Sequence, residues 1–479
     1  MNLYNTLSRK TEELKPIKDG EASLYTCGPT VYNYYHIGNL RNAVFNDTLR
    51  RTLAASGLNV KHVMNITDVG HLVSDADEGE DKLEKGAARE GKTVWEVAEH
   101  YTEAFKDDMA AMNVLPPSVN PGREKNATDP YARATDFIPE QIEMVQKLLD
   151  NGFAYQTEQA IYFDVTKLPS YGELSGQKLA DKEVAARSDV VTDPEKHHPY
   201  DFAVWFFAVG HFADHTMRWD SPWGEGFPGW HLECSAIIHA TLGDPIDIHT
   251  GGVDHIGTHH PNEMAQTEAA FGHQLANMWV HNEFILVDGA KMAKSKGNSY
   301  TLKDITEKGY DPLALRVLYL QAHYRSEINF TWEALEAAQN RLNHWREAMA
   351  TRWQDETMPR PEPEGDIAAP QFEETAIAAL SDDLNTLKPL QLLDEVADKA
   401  LAGSVCGACL DNIADMADAL LGLRLAVADI SEEQKGLIAE RTQAREAKDW
   451  AKSDELRGKL TEQGIGLRDT PNGAQWYRL

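Results

Sequence analysis

The first hundred residues alternate short apolar runs with stretches of helical spacing. Ser23-Leu24-Tyr25-Thr26-Cys27 is an apolar run cut off by Gly28-Pro29, which predicts a strand and its end. Leu40, Val44 and Leu49 recur along one side of residues 38–53 and predict a helix, and Val60 to Ile66 predicts a second strand. Strand, helix and strand at this spacing predict a βαβ unit and a parallel sheet. Residues 75–81 (DADEGED) read as a solvated acidic loop, and helical patterning returns from Thr93 to Met112.

The pattern then changes. Residues 116–225 hold several prolines, short strand-like pieces such as Ala160 to Phe163, and the loop-rich run SPWGEGFPGW, which together predict an insertion. Pro245 to His249 and Glu283 to Val287 predict strands of a second sheet half. From about Asp311 the spacing is helical, with Pro359 to Gly365 a linker by composition. Residues 361–430 are rich in Ala and Leu with 14 acidic against 3 basic residues, a helical bundle with an acidic surface. Residues 431–479 balance at 9 and 9. There Ser431 to Gln434 fits a capping box opening a helix to about Ala447, and Asp449 caps a second ending near Gly464. The expected fold is α/β: a Rossmann-type parallel-sheet domain in two halves, 1–115 and 226–320, split by an insertion at 116–225. A linker and helical bundle (321–430) and a small C-terminal domain (431–479) follow.

Composition narrows the class. The 479 residues are 42% hydrophobic and 25% charged, ordinary globular usage that excludes wholesale disorder. No stretch reaches the roughly 20 apolar residues of a membrane helix, and Met1 to Gly20 is polar, without a signal-peptide core. Four cysteines cannot form a disulfide framework, so a cytoplasmic protein in a reducing compartment is expected. A net charge of −30 argues against a protein that coats nucleic acid non-specifically, but not against one gripping it through a local patch.

Three constellations carry chemistry. Tyr35-His36-Ile37-Gly38-Asn39 opens a helix after a strand, where free N–H groups and the positive dipole end favour phosphate and Gly38 permits close approach. Lys291-Met292-Ala293-Lys294-Ser295-Lys296 concentrates three point charges able to neutralise triphosphate oxygens. The third is Cys27, Cys234, and His259 with Glu263, the last two at i, i+4 on one helix face, a usable metal geometry. Spacing alone leaves His231, His255 and His260 as rival ligands, and leaves open that the cysteines are merely buried apolar side chains. Cys406-Gly407-Ala408-Cys409, lacking a second pair or a βαβ context, reads as structural or incidental, and His197-His198 as a solvated loop.

HIGN and KMAKS resemble the HIGH and KMSKS signatures of class I aminoacyl-tRNA synthetases, departing at Asn39 and Ala293. TCGPTVYNYYHIGN, PGWHLECS and GGVDHIGTHHPNEMAQ resemble the cysteinyl-tRNA synthetase family in order and separation. So does the C-terminal run from Ala439 to Asp454 and from Gly464 to Gly473 with Trp476. The resemblance implies a cysteine–tRNA ligase: ATP activates L-cysteine to cysteinyl-adenylate, whose cysteinyl group is then transferred to the 3′ end of tRNA(Cys). It implies one zinc ion per chain on Cys27, Cys234, His259 and Glu263, recognising the cysteine thiolate so that serine and alanine are refused without an editing domain, for which 116–225 is short. It implies His36, Asn39, Lys291 and Lys294 as catalytic groups, and His36, Gly38, Asn39, Asp254 and Lys294 around ATP with Mg2+. Gly28, Thr67, Trp230 and Asp254 are the implied substrate contacts. Anticodon bases would be read in 431–479 by edge hydrogen bonds and stacking on Trp or Arg. A monomer without membrane attachment is expected. After Thr67-Asp68 the chain departs from the family, which leaves the role of the following loop open. A ligase joining cysteine to an amino sugar and a non-catalytic tRNA-binding paralogue are the alternatives; the bundle and tail count against the first, and Lys291, Lys294 and the four ligand candidates against the second.

Overall fold

The computed structural model describes residues 1–70, 81–123, 126–176, 193–292, 297–354, 369–470 and 473–479. The linker at 359–365, Lys294 and all but Asp81 of the acidic loop therefore lie outside the described residues. The chain divides into two compact units. The first comprises Met1–Leu286, Lys291–Lys303 and Tyr324–Ile328; the second comprises Val287–Ala290, Asp304–His323 and Asn329–Leu479.

At the centre of the first unit is a five-stranded, all-parallel sheet of Glu21–Thr26, Asn59–Ile66, Ala132–Arg133, Ile246–Gly252 and Ala276–Asn282. Glu21–Thr26 is the middle strand. It pairs with Asn59–Ile66 in register from Glu21↔Asn59 to Thr26↔Met64, and on its other side with Ile246–Gly252 from Ile248↔Leu24 to Thr250↔Thr26. Ala132–Arg133 and Ala276–Asn282 are the two edges, so in chain order the strands lie 3-2-1-4-5. This is the doubly wound arrangement, with its crevice where the order reverses, beyond the carboxyl ends of strands one and four. Covered on both faces, the sheet buries Leu24, Tyr25, Val63, Ile246, Ile248 and Trp279 completely.

Two findings sharpen the sequence reading here. The edge strand Ala132–Arg133 falls inside residues 116–225, whereas the antiparallel sheet that makes this segment distinct runs through Ala154–Gln156, Ala160–Phe163, Phe202–Phe207 and Gly226–Pro228. The fifth strand of the parallel sheet is Ala276–Asn282; the run at 283–287 supplies only the short strand Ile285–Val287.

Most of the second unit is helical, with Pro312–Leu320, Trp332–Ala350, Ala369–Leu380, Leu387–Leu401 and Gly407–Leu421. At its C-terminal end, Ser431 and Gln434 form the capping box of Glu432–Glu446, and Asp449 caps Trp450–Glu462. An antiparallel hairpin, Ile465–Thr470 with Gly473–Arg478, follows and was not expected from the helical pattern. Its core is Ile430, Leu460, Ile465, Leu467 and Trp476. The Arg441 guanidinium, buried, holds Asp469 of the hairpin through two hydrogen bonds of 2.8 and 3.0 Å.

Candidate functional site

Cys27 is the first residue beyond the middle strand, at the crevice. Cys234 lies on the helix Trp230–Thr241, while His259 and Glu263 occupy the first two turns of the helix His259–Phe271. The three segments bring one donor atom from each of these four side chains within 4.8 Å of one another, all buried. Two thiols, an imidazole and a carboxylate, all buried side by side, are a costly arrangement unless they share a cation. One contact speaks for such a cation: Glu263 Oε1 lies 2.8 Å from His259 Nε2, yet is a buried oxygen without an aligned donor. Lone pairs side by side and pointing past each other are what two ligands of one ion require. The donor set, two sulfurs with one nitrogen and one oxygen, suits tetrahedral zinc.

The electrostatics agree. Burial would raise Glu263, but His249 and His259 beside its two oxygens hold it below the usual carboxylate range. Burial likewise opposes charge on His259, and the Glu263 carboxylate outweighs it, pushing the imidazole up to about 10. Burial and the neighbouring Cys234 drive the Cys27 thiol up, while the hydrogen bond from Cys27 lowers Cys234. In the metal-free state Cys27 thus keeps a proton that an incoming cation must displace.

A shell of histidines surrounds the four. His249 Nε2 is 2.7 Å from Glu263 Oε2, His231 Nδ1 is 2.9 Å from His259 Nδ1, and His260 Nε2 is 3.6 Å from Cys27 Sγ. His260 continues to His281 at 2.8 Å, and His281 to Thr6 Oγ1 at 2.8 Å. Of the rival ligands, His260 forms an overlapping set with Cys27, His249 and Glu263; His231 instead braces His259, and His255 lies 3.3 Å from His260. Burial and adjacent imidazoles hold His255 at about 4 and His260 and His281 well below the usual range, so these rings are neutral at pH 7.

Beside the quartet, Gly28 packs so closely on the second strand that a Cβ would sit 1.8 Å from the Asn65 carbonyl oxygen. Its N–H donates to Asn65 Oδ1 at 2.8 Å. The Thr67 hydroxyl accepts from Asn65 Nδ2 and donates to Glu233 Oε2 at 2.8 Å, so it braces the strand end against the helix of Cys234. Trp230 stacks on His259 at 4.6 Å between ring centres, and the Lys82 ammonium stands 5.1 Å from the indole centre. Asp254, in the turn Val253–Gly257, is exposed.

The two signature segments meet in the first unit. His36 caps the helix Ile37–Ala55: its Nδ1 accepts from the Asn39 N–H at 3.2 Å, and Asn39 Oδ1 accepts from the His36 N–H at 3.3 Å. This reciprocal box occupies the Asn39 oxygen, leaving the carboxamide NH2 as the donor that an approaching anion can use. Ile37 N–H donates to the Tyr300 carbonyl at 2.8 Å, and His36 bridges Thr301, so the exit of the lysine loop is tied to the helix entrance. A Cβ on Gly38 would lie 2.9 Å from the Met292 methyl. Lys291 is exposed, with its ammonium 4.9 Å from the Phe284 ring centre.

The chain matches the profile of the tRNA synthetase class I (C) catalytic domain over residues 13–340, and that of the cysteinyl-tRNA ligase anticodon-binding domain over residues 427–478. It belongs to the cysteinyl-tRNA synthetase family. Cysteine–tRNA ligase 1 of Burkholderia lata is 43% identical over 483 residues, covering 100% of this chain and 97% of the relative. The cysteine–tRNA ligase of Treponema denticola is 40% identical over 511 residues, covering 100% of both. Methionyl-tRNA synthetase of Mycobacterium tuberculosis in complex with methionyl-adenylate shares the fold, with a TM-score of 0.58 at 13% identity over 84% of this chain and 92% of that one.

Within this family member the residues that sequence reading passed over are Asn65, Glu233, His249 and His281. His249 had a usable signal, because a parallel strand buried on both faces should be apolar throughout and an imidazole there needs a partner. Glu233 and Asn65 had none, since their role depends on which helix packs on which strand end. Trp476 is 4% exposed and fills the hairpin core, whereas in the same segment Trp450 is 58% exposed and Tyr477 half-buried.

Proposed function

We propose that the quartet Cys27, Cys234, His259 and Glu263 is the zinc site of an ATP-dependent cysteine–tRNA ligase, and that it reads the sulfur of L-cysteine. The observation carrying this reading is the convergence of four buried donors from three remote segments on the crevice of the parallel sheet. When bound, zinc supplies a borderline-soft Lewis acid that favours a thiolate over a hydroxyl or methyl group. Around it, His249 and His231 orient Glu263 and His259, which fixes the imidazole tautomer and the carboxylate angle. Gly28 lets the backbone approach the amino acid, Trp230 walls the pocket, and Thr67 holds the wall in place through Glu233.

Adenylate formation needs no covalent nucleophile from the chain; the substrate carboxylate attacks the α-phosphorus of ATP and pyrophosphate leaves, with a charge that Mg2+ bound with ATP would help to neutralise. His36 and the Asn39 amide, at the start of the Ile37–Ala55 helix, hold phosphate oxygens where orphan N–H groups already favour negative charge. Lys291 and Lys294 offset the charge that develops as the bond to pyrophosphate breaks. Asp254, exposed at the end of the fourth strand, takes the ribose hydroxyls or the substrate amine. The 3′-terminal hydroxyl of tRNA(Cys) then attacks the carbonyl of the adenylate, so that the cysteinyl group passes to the tRNA and AMP leaves; the anticodon is read by residues 431–479. The chain acts as a cytoplasmic monomer; no helix among the described residues is long and apolar enough to cross a membrane.

Cysteine-dependent ATP–pyrophosphate exchange by zinc-loaded protein tests activation, and its absence would end this reading. Charging of tRNA with cysteine, and not of an amino sugar, tests the acceptor.

A further inference from the structure

Cys406 and Cys409 are placed very differently from the two cysteines above. They are joined as a disulfide with Cα atoms 5.2 Å apart. Cys406 is the N-cap of the 15-residue helix Gly407–Leu421, and its sulfur accepts the Cys409 N–H at 3.1 Å. Cys406 is exposed and Cys409 half-buried, with Val405 and Leu410 beneath them in the core. The first turn of the helix carries no acidic residue. Arg352 packs against that turn, within 3.6 Å of where a Cβ on Gly407 would sit, and is ion-paired with Asp411 one turn further on.

We propose that Cys406 and Cys409 form a reversible thiol–disulfide exchange site whose reactants are low-molecular-weight disulfides and thiols. The geometry supplies what exchange chemistry needs. The exposed sulfur sits where the helix dipole and the Cys409 N–H stabilise a thiolate. The second sulfur is within bonding reach without movement of the backbone. In the oxidising direction the Cys406 thiolate attacks one sulfur of a small disulfide R–S–S–R, forming a mixed disulfide and releasing one thiolate RS−. The Cys409 thiolate then attacks Cys406 Sγ, closing the protein disulfide and releasing the second RS−. Both electrons leave on the small molecule, and the two protons of the protein thiols go to solvent or to the released thiolates. Reduction runs the same steps backwards. Cys27 and Cys234, buried and held for a metal, take no part.

The test uses the full zinc-loaded chain equilibrated in glutathione buffers of increasing oxidised fraction, acid-quenched, alkylated and digested. Trypsin releases Ala400 to Arg424, which contains both cysteines and neither of the others. This peptide should pass from the doubly alkylated to the disulfide form as the buffer becomes oxidising, and return with dithiothreitol. A peptide that stays reduced across the series, or stays oxidised in excess dithiothreitol, overturns the proposal. The reduced protein gives a second reading. Cys406 should react with iodoacetamide at pH 7 about tenfold faster than free cysteine, as expected for a thiol stabilised at a helix start; an equal rate overturns the assignment of Cys406 as the attacking sulfur. Cys406→Ser should leave Cys409 unable to close a disulfide and slow to react.

Discussion

Two cysteine–glycine pairs stand in this molecule, and their surroundings make opposite demands on the same chemistry. Cys27-Gly28 lies where three segments, remote in sequence, converge on four buried donor atoms. Cys406-Gly407 lies at the start of a helix, where Cys406 is exposed, and its partner is three residues away. In the first, every group nearby has been fixed by a contact to a different part of the fold: Gly28 by Asn65, Thr67 by Glu233, Glu263 by His249. In the second, only the helix start and Arg352 are involved. A long-range site is specific because it is crowded, whereas a local site is reactive because it is open.

Metal removal breaks the comparison most deeply. Cys234→Ser should lower zinc affinity by on the order of a thousandfold and cysteine-dependent pyrophosphate exchange with it, because one buried donor of four is lost and its partners are left uncompensated. Cys406→Ser should leave zinc content and exchange within about twofold of the parent, since it touches neither. Atomic absorption after dialysis and the exchange assay measure both. Next comes the matched glycine substitution. Gly28→Ala forces a Cβ into the Asn65 carbonyl and should destabilise the first unit by about 3 kcal/mol or more. Gly407→Ala meets only ordinary contacts at 3.6 Å and, at the first helical position, should be neutral or stabilising by up to about 1 kcal/mol. Urea unfolding monitored by fluorescence would distinguish them; equal effects would show that crowding does not separate the two sites.

Acidity provides a smaller effect. Since burial and Cys234 raise the Cys27 thiol, it is protonated in the metal-free state, and on the proposed reading zinc binding should release that proton. Affinity should therefore rise with pH through the neutral range and fall as pH drops, by up to about tenfold per unit for each proton released. Zinc titrations at two pH values with a competing chelator give the slope. Outside both sites, burial and the neighbouring Asp107 raise Asp108 to about 7. A carboxyl whose folded pKa is raised contributes stability at low pH that is lost as pH rises through 7. Asp108→Asn should thus stabilise by roughly 1 kcal/mol more at pH 8.5 than at pH 5 after allowance for partial exposure. Matching melting curves at both pH values should show the difference without altering zinc content.

The same contrast explains what was legible in the sequence. Local signals read well: the strands near Leu24 and Val63, the capping box at Ser431, the helix from about Thr93 and the βαβ pattern of the first half follow from contacts within a few residues. His259 and Glu263 were placed correctly on one helix face because i, i+4 is itself local. That Cys27 and Cys234 join them could not come from spacing, and the choice among His231, His255, His259 and His260 depended on ring directions set by tertiary packing. The C-terminal hairpin was hidden for another reason. Ile465 to Thr470 is half polar, and its strand character comes from pairing with Gly473 to Arg478 and from Trp476 beneath it.

The middle strand of the sheet is the first to be synthesised, and its neighbour on one side is the fourth. At about 5–20 residues per second, a ribosome needs on the order of 10 to 40 seconds to pass from Cys27 to Cys234. Throughout that interval the Cys27 thiol is part of an unfinished chain, with the second strand available on one side but no fourth strand on the other and no second sulfur to share a cation. Its exposure to oxidants is thus a matter of birth rather than of the mature fold. Slowing translation between these two codons should increase the fraction of chains that leave the ribosome with a blocked thiol and never take up metal.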